Sequence, residues 1–233
     1  MGNRPAVAAL LAAALVLLAA PAAANFHVMR IVQVYAGDVT HPDAQYVVLQ
    51  MCIAGQNVLG GHSVGFFDAA GAAIGSPAVF PGAVANSASQ SRVLIATSSA
   101  EALFGLAADL RMPASLLPAG GKLCFEPGVS PVDCFGWGNY SALPDLTIGA
   151  PFAAGTGISP GDAAQRDISL VGGPTTLECT TPNDDTDDSA ADFDPTIPVP
   201  GNNAGDIGVV DANHIFLHGF EAGGSAGWSA VVP

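Results

Sequence analysis

The stretch 183–194, NDDTDDSAADFD, concentrates the side chains of this chain that could do chemistry, because it holds six of the 20 acidic residues. Asp185, Asp187 and Ser189 place oxygen donors at alternate positions, as the first half of a calcium-binding loop does. Ala190 stands where an EF-hand loop needs glycine, and no glutamate occupies its twelfth position. The pattern therefore predicts at most a weak calcium site. Its candidate ligands are Asp184, Asp185, Asp187 and Asp188.

The preferred interpretation of the same stretch is a solvated loop that closes the domain. Asp and Asn side chains favour turns because they hydrogen-bond to their own backbone. Phe193 is the large apolar residue of the stretch, and we expect it to fill the core where the chain closes.

No other part of the sequence carries a catalytic constellation in the required context. The segment GHSVG (61–65) has the outline of a hydrolase nucleophile elbow, but a strand and a turn are expected after it rather than a helix. His214 and His218 are four apart, yet the IFL between them favours an extended chain without a shared face. The sequence thus predicts a protein that is not an enzyme and has no cofactor beyond weakly bound calcium. A hydrolase that uses the acids of 184–194 is the remaining catalytic alternative.

The first 24 residues have the pattern of a cleaved signal peptide. Arg4 provides the positive start, ALLAAALVLLAA the apolar segment, and the alanines at 22–24 a small-residue cleavage site. The apolar run of about 15 residues is short of the roughly 20 that span a membrane. We therefore expect a protein without a membrane span, secreted or held in the cell envelope, whose folded part starts at Asn25.

The charge balance argues against nucleic acid as a partner. The whole chain has six basic and 20 acidic residues, a net charge of −14. Loss of Arg4 with the signal peptide leaves a net charge of −15. Such a surface repels phosphate backbones.

The cysteines indicate disulfides. An even number in an exported chain suggests two bonds, and four cysteines allow three pairings. Cys124 and Cys134 flank the turn-rich FEPGVSPVD and could face each other across a hairpin, which would leave Cys52 with Cys179. Zinc is not expected, because no C-x-x-C spacing occurs.

The elements that must position these residues are predicted to be strands. Short apolar runs alternate with Gly, Pro, Asn and Asp, a texture typical of an all-β sandwich. The predicted strands are 27–36, 45–54, 61–71, 92–97, 121–127 and 133–140. One short helix is expected from Ser98, because Ser98 and Glu101 have the spacing of a capping box and Gly105 would end the helix.

The C-terminal part has a different texture. From Thr175 the chain is polar, acidic and rich in Pro and Gly, which predicts loop or extended structure. Pro195, Pro198 and Pro200 exclude a helix or a central strand there. The segment 201–213 is predicted to be a linker.

Several segments together resemble exported bacterial proteins that contain a lamin-tail-like domain. They are RIVQVYAGD with QYVVLQ, RVLIATSSAEALFG, LLPAGGKLCF before DCFGWGNY, and GTGISPGDAAQRDI before NDDTDDSAADFDPTIPVPGNN. In such domains an arginine-bearing strand precedes an acidic stretch and an S-A-A-D-F-like motif, here Arg166 and 189–193. The resemblance implies an immunoglobulin-like antiparallel β-sandwich over 25–203, acting as a non-catalytic binding or structural module. It does not extend to the nuclear partners of eukaryotic relatives, because the export signal and the acidity argue against them.

Residues 204–233 are predicted to form a linker and a short tail. HIFLHGFEAGGSAGWS (214–229) resembles the Gly-Phe-Glu and Trp-Ser endings of many exported bacterial proteins. The partner of the whole protein stays open between an unknown protein and a glycan surface. A calcium-dependent adhesion or carbohydrate-binding module is the first alternative function. Trp137 and Tyr140 are rings that could stack on sugars, although packing in the core or the hairpin is the preferred interpretation.

Overall fold

The computed structural model describes residues 28–168, 176–179 and 183–208. The predicted signal peptide (1–24), His214, His218 and the predicted tail lie outside the described residues. Within the described ranges no helix is long and apolar enough to cross a membrane.

The strands form two sheets that pack against each other. The strands are β1 (Met29–Tyr35), β2 (Tyr46–Met51), β3 (Ser63–Phe67), β4 (Ala78–Val79), β5 (Arg92–Ala96), β6 (Leu110–Arg111), β7 (Gly120–Phe125), β8 (Asp133–Gly138), β9 (Ala163–Arg166) and β10 (Phe193–Thr196). The larger sheet has the order β10-β9-β1-β2-β5-β6 and the smaller one β4-β3-β7-β8. Neighbouring strands run antiparallel except β5 and β6. The predicted all-β sandwich is therefore confirmed. Within the described ranges two short helices accompany it, the predicted α1 (Ser98–Phe104) and an additional α2 (Ser189–Asp192).

The main core lies between the two sheets. The larger sheet contributes mostly aliphatic side chains and the smaller one several aromatic rings. Among the most enclosed are Ile31, Leu49, Val93 and Ile95 from the larger sheet, and Phe66, Phe125, Phe135 and Trp137 from the smaller one. Each such side chain contributes about 1.5–3 kcal/mol when it leaves water, so this layer is the principal source of stability.

A β-bulge in β1 decides which of its side chains reach the core. The pairing of β1 with β2 shifts between Ile31 and Gln33. Ile31 and Val34 belong to the core between the sheets, whereas Tyr35 belongs to a cluster on the outer face of the larger sheet. Strict alternation from Ile31 would have placed Gln33 in the core instead of Val34. The bulge therefore keeps a polar side chain out of the apolar layer.

The outer face of the larger sheet is covered by α1. The rings of Tyr35 and Tyr46 stack with centroids 5.3 Å apart. Phe104 of α1 meets both rings edge-on, at 5.5 and 5.4 Å. Strands β1 and β2 are consequently buried on both faces.

The cap of α1 differs from the predicted one. The helix begins at Ser98, but the capping residue is Thr97, whose hydroxyl accepts a hydrogen bond from the amide of Ala100 at 3.1 Å. The carboxylate of Glu101 binds groups that follow the helix rather than its first turn. The predicted capping box of Ser98 and Glu101 is therefore wrong. Gly105 ends the helix in the left-handed conformation, as expected.

We expect Thr97→Ala to lower the free energy of unfolding by about 2 kcal/mol, the upper end for a lost cap. The reason is that the Thr97 hydroxyl also donates to the carbonyl of Asp43 at 2.6 Å and accepts from the amide of Gln45 at 3.1 Å. Ser98→Ala is the matched control and should change stability by less than about 0.5 kcal/mol. Urea unfolding measures both variants, and equal losses would contradict the assigned cap.

After α2 the chain forms an edge strand and then crosses the outer face of the larger sheet. β10 contains Pro195 and lies at the sheet edge, where a missing N–H is tolerated. Beyond it, the amide of Val199 donates to the Gln33 side chain at 3.2 Å. The buried Asn203 side chain donates to the carbonyl of Arg92 at 3.1 Å. Residues 201–208 of the predicted linker are therefore in fixed contact with the sandwich.

Two disulfides are present, as predicted. Cys124 of β7 and Cys134 of β8 are directly opposite each other in the hairpin and are bonded. Cys52, which follows β2, is bonded to Cys179. The second bond encloses most of the strands, since its cysteines are 127 positions apart.

Candidate functional site

Arg166 lies at the centre of the contacts made by residues 183–194, which we call the closing segment. Its strand, β9, lies between β1 and β10, and the side chain is almost fully buried. Nε donates to the carbonyl of Ile31 at 2.8 Å, and Nη2 donates to both carboxylate oxygens of Asp133 at 3.0 Å. Nη1 reaches Asp185 at 3.2 Å and Asp192 at 3.3 Å. A guanidinium has five N–H donors in a rigid plane, so that one arginine can donate to several acceptors around it at once.

A second arginine joins the same group. Nε of Arg30, on β1, lies 2.7 Å from a carboxylate oxygen of Asp185. Asp133 also accepts a hydrogen bond from the amide of Ile31 at 2.6 Å. The ion-pair network, defined here as Arg30, Arg166, Asp133, Asp185 and Asp192, thereby connects β1 and β9 of the larger sheet to the start of β8 in the smaller sheet and to the closing segment.

The network carries more negative than positive charge when every member is ionised, since three carboxylates face two guanidiniums. Burial raises the pKa of Asp133 to about 7, and the attraction of Arg166 only partly opposes this. Burial also raises the pKa of Asp192. Burial would lower the pKa of Arg166, but the surrounding carboxylates raise it above its ordinary value. Uptake of one proton would balance the cluster, so protonation at Asp133 is favoured in the fold.

This imbalance predicts that stability falls as the pH rises from about 4 to 7. Folded Asp133 binds a proton more tightly than unfolded Asp133, whose ordinary pKa is 3.8, so the folded state holds more protons throughout this window. Urea unfolding of the oxidised protein at pH 4.5, 6 and 8 measures the slope. Asp133→Asn should flatten it, and an unchanged slope in this variant would refute the assignment.

Two acids outside the network, Asp38 and Asp145, act in the opposite sense at lower pH. Burial would raise the pKa of Asp38, but hydrogen bonds from His41 and Thr40 lower it to about 2. Burial would likewise raise the pKa of Asp145, but hydrogen bonds from groups that include Lys122 lower this pKa to about 2. The stability these two contribute is lost as the pH falls from about 4 to about 2. We therefore expect the maximum of stability near pH 4 to 5.

The four predicted calcium ligands have separate roles. Asp185 pairs with the two arginines, and the Asp184 side chain accepts from the amide of Glu178 at 2.8 Å. Asp188 caps α2 by accepting from the amide of Ala190 at 3.1 Å. Asp187 is exposed. Desolvation of its carboxylate and, as the smaller cause, repulsion from Asp185 raise its pKa. No group of three or more His, Cys, Asp or Glu side chains in the described ranges is arranged to hold a metal ion. Calcium binding stays a prediction.

Phe193 fills the core where the chain closes, as expected from the sequence. Its ring lies 4.3 Å from that of Phe135 between centroids, and it belongs to the main core. The guanidinium of Arg166 stands 4.7 Å above its centroid. The network and the core therefore meet at this ring, so that charge pairing and apolar burial at the closing segment depend on each other.

The other candidate residues take structural positions. Ser63 of GHSVG lies in β3, and a turn and the short strand β4 follow β3, so the context of a nucleophile elbow is missing. Trp137 is buried and its indole N–H donates to the carbonyl of Leu117 at 2.9 Å. Tyr140 is also buried, and its hydroxyl donates to Asp145 at 3.0 Å. Neither ring presents a face for stacking on a sugar.

The sequence did not predict a cleft that lies beside the network. It has a volume of about 340 Å³ and is lined by residues of the segment 152–163, by Ala190 of α2 and by residues of β10. The lining residues of β10 are Phe193, Asp194 and Pro195. The signal in the sequence is the polar Asp194 directly after the buried Phe193.

Comparison of the chain with protein-family models, with curated proteins and with solved structures finds no match.

Proposed function

We propose that this protein is an exported, non-catalytic β-sandwich module of the lamin-tail-like type, with a binding or structural role toward a protein or glycan surface. The observation that carries the proposal is the use of the closing segment. Two of its acids, Asp185 and Asp192, pair with Arg166 inside the fold, which leaves them poorly placed for acid–base chemistry on a substrate.

Two further observations support the proposal. The arginine-bearing strand and the S-A-A-D-F motif, which the resemblance pairs along the sequence, are neighbours in the structure, with Phe193 opposite Arg166 in register. Two disulfides fit the oxidising surroundings of an exported protein. An immunoglobulin-like arrangement is part of the proposal.

Hydrolytic turnover is the test of the non-catalytic role. The oxidised chain without its signal peptide would be assayed against panels of ester, phosphate and glycoside substrates. We expect no turnover above buffer. Turnover that Asp187→Asn or Asp194→Asn removes while the thermal melt stays unchanged would overturn the proposal in favour of a hydrolase. These two acids are suitable because neither belongs to the ion-pair network.

Calcium separates the adhesion alternative from the proposed module. Calcium at tenfold excess over its Kd would stabilise the protein by about 1.4 kcal/mol, a shift of about 3–6 °C in Tm for a domain of this size. We expect the melts with millimolar calcium and with EDTA to coincide, because Arg30 and Arg166 already neutralise Asp185. A shift that Asp187→Asn abolishes would establish the calcium site. Asp206→Asn, which removes an exposed acid elsewhere, is the matched control.

A further inference from the structure

The cleft beside the closing segment combines an apolar floor with an acidic rim. The floor consists of Phe152, Ile158 and Phe193, each less than a tenth exposed. The polar residues Thr156, Ser159, Asp162 and Asp194 also line the cleft, and we call these four residues its rim. Among the described residues, no lysine, arginine or histidine lines the cleft.

The two rim carboxylates differ from the other acids around the closing segment. Asp133, Asp185 and Asp192 are paired with arginine. Asp162 and Asp194 have no ion-pair partner among the described residues. The chain has a large excess of acidic over basic residues, so it offers few basic side chains that could pair with these carboxylates. A cationic group of a partner would complement them.

The size of the cleft limits what could fill it. Ligand pockets commonly measure about 300–1,000 Å³, and a volume of about 340 Å³ lies at the small end of this range, with room for one long side chain. A lysine or arginine side chain has an aliphatic stem that packs on apolar surface and a charged end that stays near water and carboxylates. The floor and the rim of the cleft match these two parts.

We propose that the cleft binds a lysine or arginine side chain of a partner polypeptide, with its stem on Phe152 and Ile158 and its cationic end between Asp162 and Asp194. This inference rests on the proposed function, because it names the partner chemistry of the binding module. An acidic peptide is disfavoured by the rim charges. A sugar lacks the cation for which the rim is suited.

Peptide titration followed by ¹⁵N–¹H spectra tests the proposal. The probe is acetyl-Gly-Lys-Gly-amide, and its matched control carries norleucine, which has the same stem without the ammonium group. We expect the lysine peptide to shift the amides of Thr156, Gly157, Ala163 and Asp194 at concentrations at least fivefold lower than the norleucine peptide. Added salt should weaken the lysine peptide more strongly.

Protein variants test whether the rim carboxylates cause the preference for the lysine peptide. Asp162→Asn with Asp194→Asn should abolish the preference for lysine over norleucine. Asp206→Asn should preserve it, since Asp206 is an exposed acid in the segment that packs near β5, far along the larger sheet from β10. Equal binding of the two peptides, an equal loss in the Asp206 variant, or shifts that map elsewhere would each overturn the proposal. Calcium that competes with the peptide more tightly than lysine binds would also overturn it and assign the cleft to a metal.

The outcome separates this inference from the proposed function. Absence of lysine binding together with absence of turnover removes the cleft as a site and leaves the module intact. Turnover in the hydrolase panel removes the proposed function, whichever peptide binds.

Discussion

Arg166→Met should lower the free energy of unfolding by about 3–5 kcal/mol at pH 8, the range for a buried ion pair that loses one partner. The substitution keeps the apolar stem but leaves Asp133 and Asp192 buried without the cation that holds them. Arg30 pairs with Asp185 and does not replace the ion pairs that the Arg166 guanidinium makes with Asp133 and Asp192. Guanidinium chloride unfolding, monitored by tryptophan fluorescence, measures the loss.

The pH dependence of this loss distinguishes an unpaired charge from a packing defect. At pH 5 the carboxylates of the variant can take up protons, so the loss should be smaller than at pH 8. Adding Asp133→Asn and Asp192→Asn to Arg166→Met should recover part of the stability, because the uncompensated charges are then gone. A loss that is the same at both pH values would point to packing.

Arg111→Met is the matched control. Arg111 pairs with Glu101 at 2.8 Å, but 74% of its side chain is exposed. Exposed pairs contribute about 0–1 kcal/mol because water and salt screen them. If both methionine variants lose the same amount, the buried network does not stabilise the fold in the way described.

The second large effect concerns the disulfides. Replacing both Cys52 and Cys179 with alanine should destabilise the protein by about 5 kcal/mol in the chain-entropy description, since the bond closes a long loop. The same replacement at Cys124 and Cys134 should cost about 3 kcal/mol, because that loop is short. The sequence separations behind this contrast are 127 and 10.

Denaturant unfolding of the two double variants checks the order of these losses. Replacing both partners of each bond avoids a free thiol that could exchange. A reducing agent added to the wild type should produce at least the larger of the two losses. The prediction fails if the hairpin bond proves to be the more stabilising one.

Much of the sandwich could be predicted because its strands carry their own local signal. Segments such as 45–54 and 92–97 are runs of β-branched and apolar residues between turn residues, and they became β2 and β5. The cap of α1 was misplaced by one residue because Thr97 and Ser98 have the same capping chemistry. Only tertiary partners, the carbonyl of Asp43 and the amide of Gln45, distinguish them. α2 is four residues long, too short to leave a periodic pattern.

The candidate site was only half visible in the sequence. The acidic stretch and Arg166 stood out by composition and by resemblance. Asp133 could not be recognised as part of the site, since it is 33 positions from Arg166 and lies in a segment whose pattern predicts an ordinary hairpin. Arg30 reads as part of a first strand. Contacts at such separations depend on how the sheets are ordered, which local patterns do not encode. The cleft could not be predicted for the same reason, since it forms between segments that are distant in the sequence.

The proline in β10 has a consequence for how this protein meets other chains. At the sheet edge Pro195 offers no N–H to an incoming strand, and the opposite edge, β6, is two residues long. In the smaller sheet β4 is equally short, and Phe152 already covers β8 through hydrogen bonds with Gly136 and Gly138. Pro195→Thr should promote self-association, which sedimentation velocity would detect. With its edges closed in this way, the sandwich resists fibril-like stacking even when crowded, and recognition is left to side chains rather than to shared backbone pairing.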